Sequence, residues 1–295
     1  MPDLDCIVAG DANVDLLVDG IAQLKFEKEQ LANSCELSLG GSSAITAFIL
    51  SRLGARVGFI GVVGKDLFGR FVEERLESAE IDLSALRRDR IEKTGTTIWC
   101  QHGKRRAGMT YLGTIAALRA ADAKDAYLKR ARHLHVGAYF LLESFHSGAA
   151  RVFQRARRLG LTTSLDCNFD PAEKWDSGLR DVLKHVDVFL PNETEALRLT
   201  GAPSVKVAAQ ELAKLARIVV VKRGARGALV ATRGEGFRVP ARKALVVDAT
   251  GAGDSFNAGF LANYLRGVSL PGCVNAGVNA GARSVGFVGG TTAFE

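Results

Sequence analysis

The sequence predicts an α/β fold: a three-layer, doubly wound, mostly parallel sheet with a small β-sheet at its side. Three observations lead there. Short β-branched runs bounded by turn residues alternate with longer segments of helical period, the pattern of repeated βα units. Glycine-, Asp- and Asn-bearing turns follow several of the strand-like runs, where ligands collect in sheets of this kind. Two stretches, Leu16 to Leu39 and Thr94 to Tyr111, break the alternation, and the second sets β-prone arms around a basic, Gly-containing turn.

Taken in order, Cys6 to Ala9 is the first strand, followed by a helix over Ser43 to Leu53, a strand over Arg56 to Ile60 and a helix over Leu67 to Ala79. Beyond the Thr94 to Tyr111 excursion come a strand at His133 to Val136 and a helix at Ser147 to Leu159. In that helix Val152, Phe153 and Ala156 make the apolar stripe while the arginines of RVFQRARR take the opposite side. Strands follow at Thr163 to Asp166 and Val186 to Leu190, helices at Glu193 to Leu199 and Val205 to Leu215, and strands at Ile218 to Lys222 and Ala228 to Ala231. The last helices are Ser255 to Leu265 and Pro271 to Val285. No low-complexity linker, composition shift or fixed-period repeat divides the chain, so residues 1–295 read as one domain with a β appendage over about 14–39 and 92–113.

At 295 residues, 47% hydrophobic and 24% charged, the composition is that of a globular protein and excludes disorder and collagen. Five cysteines, without a C-x-x-C or zinc spacing, fit a reduced, cytoplasmic compartment. No early apolar run or long uncharged stretch predicts export or membrane spanning. The net charge of +7 raises the question of polyanions. Yet the basic groups, Arg87-Arg88, Lys104-Arg105-Arg106 and Arg151 to Arg158, are scattered and lack interleaved aromatics, so no nucleic-acid partner is expected. A modest positive field favours small anionic substrates.

Familiar motifs are excluded by spelling. Gly58 to Lys65 (GFIGVVGK) is one residue too long for a G-x-x-x-x-G-K-[ST] loop, and Asp66 stands where Ser or Thr belongs. Gly251-Ala252-Gly253 lacks the third glycine of a dinucleotide fingerprint and lies near the C-terminal end. There is no G-x-S-x-G elbow and no H-E-x-x-H.

The informative stretch is VVDATGAGDSFNAGFL, Val246 to Leu261. A buried strand is expected to end at Asp248, a glycine turn follows, and Phe256, Phe260, Leu261 and Leu265 carry helical spacing. Unpaired N–H groups and the positive end of the helix dipole make such a terminus an anion site. Asp254 sits there, where the helix field favours the carboxylate; an Asp at this position also reads as an ordinary helix cap.

DATGAGDSFNAGFL resembles the C-terminal signature, D-T-x-G-A-G-D, of the ribokinase-like sugar kinases of the phosphofructokinase B carbohydrate kinase family, with Ala249 in place of the usual Thr. The N-terminal signature is similar too: Gly40-Gly41-Ser42-Ser43-Ala44, Leu53-Gly54-Ala55, and Gly61 to Gly69 as G-V-V-G-K-D-L-F-G. Gly10 to Asp15 (GDANVD), Pro191 to Glu195 (PNETE) and Val221 to Gly227 (VKRGARG) extend the likeness over nearly the whole chain. The resemblance implies a ribokinase-like fold whose β appendage is a lid, and ATP-dependent phosphorylation of a hydroxyl on a small sugar or sugar-like substrate.

Carried over residue by residue, it implies Asp254 as general base and Gly251, Ala252, Gly253 and Asp254 as the anion hole. Asp11, Asn13 and Asp15 would hold substrate hydroxyls, Gly40, Gly41 and Ser42 would lie against the sugar, and Arg106 would meet a substrate carboxylate or phosphate. Asn13 and Asp15 also read as a polar turn, and Arg106 as a solvated arginine. Asn192 and Glu195 form the N-x-x-E motif that organises Mg²⁺, usually through water; a helix start with acidic first-turn residues is the plainer reading. Lys222 and Gly224 would approach the ATP phosphates, while Gly227 and the last helix, with Asn279, would border the adenine. An exposed strand-end lysine is the other reading of Lys222. Asp166 to Asp170 with Trp175 would shape the acceptor floor or form a structural turn. Ile45 departs from an Asn common among relatives. Asp248 and the Thr250 carbonyl, completed by Ser284 and Gly289, imply a K⁺-type ion, which Ala249 puts in question. A homodimer through the lid is expected by analogy. Rival activities are a nucleoside or phospho-sugar kinase on the same fold and a non-catalytic nucleotide-binding regulator.

Overall fold

In the computed structural model, residues 2–103 and 105–295 are described, Arg105 through its backbone alone. Lys104, first of the basic triplet, lies outside the described residues. In chain order the elements are β1 (Cys6–Ala9), β2 (Asn13–Asp19), β3 (Ser34–Gly40), α1 (Ser42–Arg52), β4 (Val57–Gly64), α2 (Leu67–Ser78), β5 (Asp82–Asp89), β6 (Gly95–His102) and β7 (Arg105–Tyr111). Then follow α3 (Asp125–Leu128), β8 (His133–Val136), α4 (Glu143–Arg158), β9 (Thr162–Leu165), α5 (Leu179–Leu183), β10 (Val188–Phe189), α6 (Glu193–Thr200) and α7 (Val205–Leu212). β11 (Ile218–Lys222), β12 (Ala228–Thr232), β13 (Gly236–Val239), α8 (Ala252–Leu265) and α9 (Leu270–Ser284) complete the described strands and α-helices.

Nine strands form one sheet in the order β13-β12-β11-β10-β9-β8-β1-β4-β5, parallel from β5 to β11 and antiparallel across β12 and β13. Helices cover both faces, as the apolar character of the central strands on both sides requires. On one face Val8, Phe48, Phe59 and Phe260 pack with α1, α2, α8 and α9; on the other Ile7, Leu134, Phe153 and Phe189 pack with α3 to α7. This is the three-layer α/β arrangement the sequence predicts.

The smaller sheet runs β3-β2-β6-β7, with β2 parallel to β6 and antiparallel to β3. Its register puts Asn13, Asp15, Thr97, Trp99, Arg106 and Thr110 on one face. Asn13 and Asp15 are therefore strand residues and not a polar turn.

Local chemistry explains the helix ends. Asp66 caps α2 by accepting from Gly69 N at 2.8 Å, and Ser204 caps α7. α4 begins at Glu143, four residues before the predicted start, because the buried Phe145 carries the apolar stripe upstream of Ser147. Two strands escaped the pattern, β5 and β13. Both lie at sheet edges, where one side is solvated and DLSALRRD or GFRV need not be apolar. All five cysteines are free, and no described helix is long and apolar enough to cross a membrane.

Candidate active site

The carboxyl ends of β1, β9, β10 and β11, the head of α8 and the inner face of the small sheet surround one cleft of about 1150 Å³. Doubly wound sheets collect ligands at this edge because strand ends and helix N-termini leave backbone groups unpaired there.

α8 starts from Gly251, which has φ 71° and lies so close to Gly290 that a Cβ would stand 2.7 Å from its Cα. Only glycine makes that turn without strain. The Ala252 amide bonds Ala249 O at 3.3 Å, whereas the amides of Gly251, Gly253 and Asp254 make no backbone hydrogen bond among the described residues. Asp254 occupies the third position of the helix and makes no capping bond, so its carboxylate is not spent on the helix end. Burial, reinforced by the neighbouring Asp166 carboxylate, pushes the Asp254 carboxyl well above the ordinary value, while Lys222 pulls it back. Desolvation thus opposes the ionised form that the helix end favours.

Below α8, Lys222 at the end of β11 is largely covered, its side chain 12% exposed, and is not an exposed strand-end lysine. Its ammonium donates to Asp166 Oδ2 at 2.6 Å and Asn257 Oδ1 at 3.2 Å, and Asn257 also donates to Asp166. Burial opposes both charges, yet the pairing holds Asp166 below and Lys222 above their usual values. Asp166 is thus more than a turn residue, and Asn257, one helical turn after Asp254, is a buried partner of this pair that the sequence reading missed. The i, i+3 spacing from Asp254 was the available signal.

Asn192 and Glu195 make a capping box at α6: Asn192 Oδ1 accepts from Glu195 N at 2.9 Å and Glu195 Oε2 from Asn192 N at 2.8 Å. Burial and then Asp166 push Glu195 up to about 7. Potential ligand atoms of Asp166, Cys167 and Glu195 lie within 4.8 Å of one another. Two carboxylates offer hard oxygens suited to Mg²⁺, whereas burial drives the Cys167 thiol up and keeps it protonated. Because Glu195 is engaged by Asn192, its fit to Mg²⁺ is through water.

On the opposite wall Asn13 Nδ2 donates to Asp15 Oδ1 at 3.2 Å, and burial pushes Asp15 up to about 7 although the Trp99 N–H favours its charge. Asp11 lines the cleft, but its oxygens accept from Ser42 N at 2.9 Å and Ser43 N at 2.8 Å, which makes it the cap of α1. Gly41 and Ser42 line the cleft; Gly40 does not, and its missing Cβ makes room for Asp15, whose Oδ1 would be 2.3 Å away. Ile45, Trp99, Ile115, Leu141 and Phe169 add an apolar wall. Arg106 stands on the cleft wall with its side chain 31% exposed and reaches out of β7 to the protein's own Thr250 and Asp248, so it is a paired arginine and not a freely solvated one.

At the far end Gly224 and Gly227 border the cleft with Val278, Ala282 and Val285 of α9 and its end. Asn279 is a correction: it lies on the exposed face of α9, off the cleft wall, and meets it only through Arg242 Nε at 2.9 Å. The buried strand expected to end at Asp248 is a correction: residues 240–248 form a loop in which Leu245, Val246 and Val247 are exposed, and Arg242, Lys243 and Val246 of this loop stand on the cleft wall.

Comparison with known proteins agrees with this geometry. The chain is 32% identical to fructokinase of Klebsiella pneumoniae over 267 residues, 86% of this chain and 82% of that one. It is 31% identical to 2-dehydro-3-deoxygluconokinase of Bacillus subtilis (84% and 80% covered) and 30% identical to a nucleoside kinase of Methanothermobacter thermautotrophicus (79% and 74%). The PfkB protein from Polaromonas sp. JS666 superimposes with a TM-score of 0.83 at 28% identity, covering 96% of each chain. Arabidopsis thaliana ribokinase, solved with ribose and ATP, shares the fold with a TM-score of 0.84 at 24% identity, covering 98% of this chain and 95% of its own. The profile of the pfkB family carbohydrate kinases matches residues 3–295, and the chain belongs to that family.

Proposed function

We propose that the protein transfers the γ-phosphoryl group of ATP to a hydroxyl of a small polyol, with Asp254 as general base and the Gly251–Asp254 turn as the anion hole. The observation that carries this reading is the convergence, in one cleft, of a helix N-terminus with free amides, an uncapping Asp254, and the Asn13–Asp15 pair on the opposite wall. Asp254 takes the proton of the acceptor hydroxyl as its oxygen attacks phosphorus. The bond from phosphorus to the bridging oxygen of ADP breaks, and the amides of Gly251, Gly253 and Asp254 receive the charge on the phosphoryl oxygens. A base raised by burial and restrained by Lys222 suits this task, since it takes up a proton more readily than an ordinary carboxylate.

Lys222 lies close enough to Asp254 to lower its pKa, which supports a place for its charge beside the transferring group. Mg²⁺, held through water by Glu195 and Asp166, would neutralise phosphate charge. Asn13 and Asp15 hold acceptor hydroxyls, and the basic Arg242 and Lys243 flank the nucleotide end. A nucleoside-like acceptor is a second reading, favoured by the flat ring of Phe169 and the apolar side chain of Ile45 on the acceptor side. A phospho-sugar is less favoured, because Arg106 is already committed to the loop before α8. ADP release across ketoses, aldoses, sugar acids and nucleosides with Mg²⁺ tests the proposal; acceptor-dependent ADP supports it, and ATP bound without turnover on any of them overturns it.

A further inference from the structure

The turn into α8 carries an ion pair that phosphoryl transfer alone does not require. Asp248 is 4% exposed, and its carboxylate is in use on both sides: Oδ1 accepts from Thr250 N at 2.9 Å and Thr250 Oγ1 at 2.7 Å, and Oδ2 accepts from Gly289 N at 2.9 Å. Thr250 Oγ1 in turn accepts from Arg106 Nη1 at 2.5 Å, and the same nitrogen stands 3.6 Å from Asp248 Oδ1. The Ser284 hydroxyl is spent on Gly281 O at 3.0 Å. A potassium-type ion needs several open oxygens, and here N–H and guanidinium donors face the carboxylate instead. The Asp248 carboxylate, already filled by these donors, does not fit that ion as a ligand.

Arg106 is held in place from the small sheet. Trp99 lies opposite Gly108 in the β6–β7 ladder, and a Cβ on Gly108 would stand 2.5 Å from the indole ring. Glycine thus lets the ring lie across β7, and the guanidinium stacks on it at 3.7 Å from its centroid. The charge is pre-organised on one side by an aromatic face and on the other by the turn that begins the anion hole.

We propose that Arg106 is the resident cation of the α8 turn: it supplies from within the chain the positive charge beside Asp248, so that turnover does not depend on potassium, and it ties the small sheet to the shape of the anion hole. This rests on the reading of that turn as the phosphoryl-transfer site. Arg106 acts through Asp248 and Thr250 and is a positioning residue.

The test compares ADP release by the full chain in potassium chloride and in tetramethylammonium chloride, for the wild type, Arg106→Met and Arg106→Lys. The wild type changes by less than about twofold between the salts, while Arg106→Met loses about 10- to 100-fold in kcat, the coupling expected of contacting residues. Added guanidinium or potassium restores part of that loss, and Arg106→Lys retains more activity than Arg106→Met. Potassium activation of the wild type by more than about fivefold, or a loss in Arg106→Met confined to acceptor KM, overturns the proposal. Thermal shifts separate this failure from failure of the kinase reading. Whether or not any acceptor releases ADP, potassium chloride should stabilise Arg106→Met and leave the wild type unmoved; stabilisation of the wild type sinks the resident-cation idea alone.

Discussion

Replacing Lys222 with Met removes one half of a buried ion pair and leaves Asp166, whose side chain is 6% exposed, facing only Asn257 as a charge-stabilising side chain. Breaking such a pair from one side costs about 3–5 kcal/mol, because the remaining charge has lost both solvent and partner. At about 2.1 cal/mol/K per residue, a chain of 295 residues unfolds with an entropy of roughly 0.6 kcal/mol/K, so Tm falls by about 5–8 °C. The same substitution acts on catalysis by a separate route. Lys222 pulls the Asp254 pKa down, so without it the base stays protonated to higher pH and the rising limb of kcat against pH moves to the alkaline side. Differential scanning fluorimetry reads the first effect and a pH series of ADP release the second. The double variant Lys222→Met with Asp166→Leu should regain part of the lost Tm, since no charge is then stranded, but none of the lost activity. A single variant within about 1 °C of the wild type, with an unmoved pH profile, would show that the 2.6 Å pair neither stabilises the cleft nor tunes the base.

Asp254→Asn should lower kcat by about 10²–10⁴ with ATP affinity largely retained, checked by steady-state kinetics beside calorimetric titration of an ATP analogue. Asp15 is raised to about 7, so the folded protein holds its proton while the unfolded chain has released it, and stability falls as pH rises from the ordinary carboxylate value of 3.8 through 7. Asp15→Asn removes that loss: Tm rises at pH 8 but not at pH 4, while the acceptor KM increases by about 10-fold or more through the missing charged hydrogen bond. Asn192→Ala abolishes the capping box of α6 and should cost about 1 kcal/mol, or roughly 1–3 °C in Tm, measured by the same fluorimetry.

The sequence made central strands such as β1 and β4 legible because they are buried on both faces and read as unbroken runs without a charged or polar side chain. β5 and β13 were not legible, since an edge strand keeps one solvated side and loses that signal. Among site residues, Asp254 and the glycine turn could be recognised because backbone conformation at a helix start restricts the residue types that fit. The partners of side chains were another matter. That Lys222 grips Asp166 and Asn257, that Asp11 caps α1, and that Arg106 crosses from β7 to Thr250 depend on which strands become neighbours. Local spacing does not encode that. Asn279 failed for a related reason: α9 was placed correctly, but which of its faces meets the cleft is decided by its packing against α8.

Three residues, Gly10 to Ala12, separate β1 in the middle of the large sheet from β2 of the small one, and a single residue, Gly41, separates β3 from α1. The covering sheet therefore has no flexible tether and is not a module bolted onto the scaffold. Any tilt of it must be absorbed within those few backbone bonds, at the residues that flank the acceptor. Transplanting it from a relative with a different substrate would disturb the central strand and the cap of α1 together, so altered specificity is more readily reached by changing side chains on its inner face.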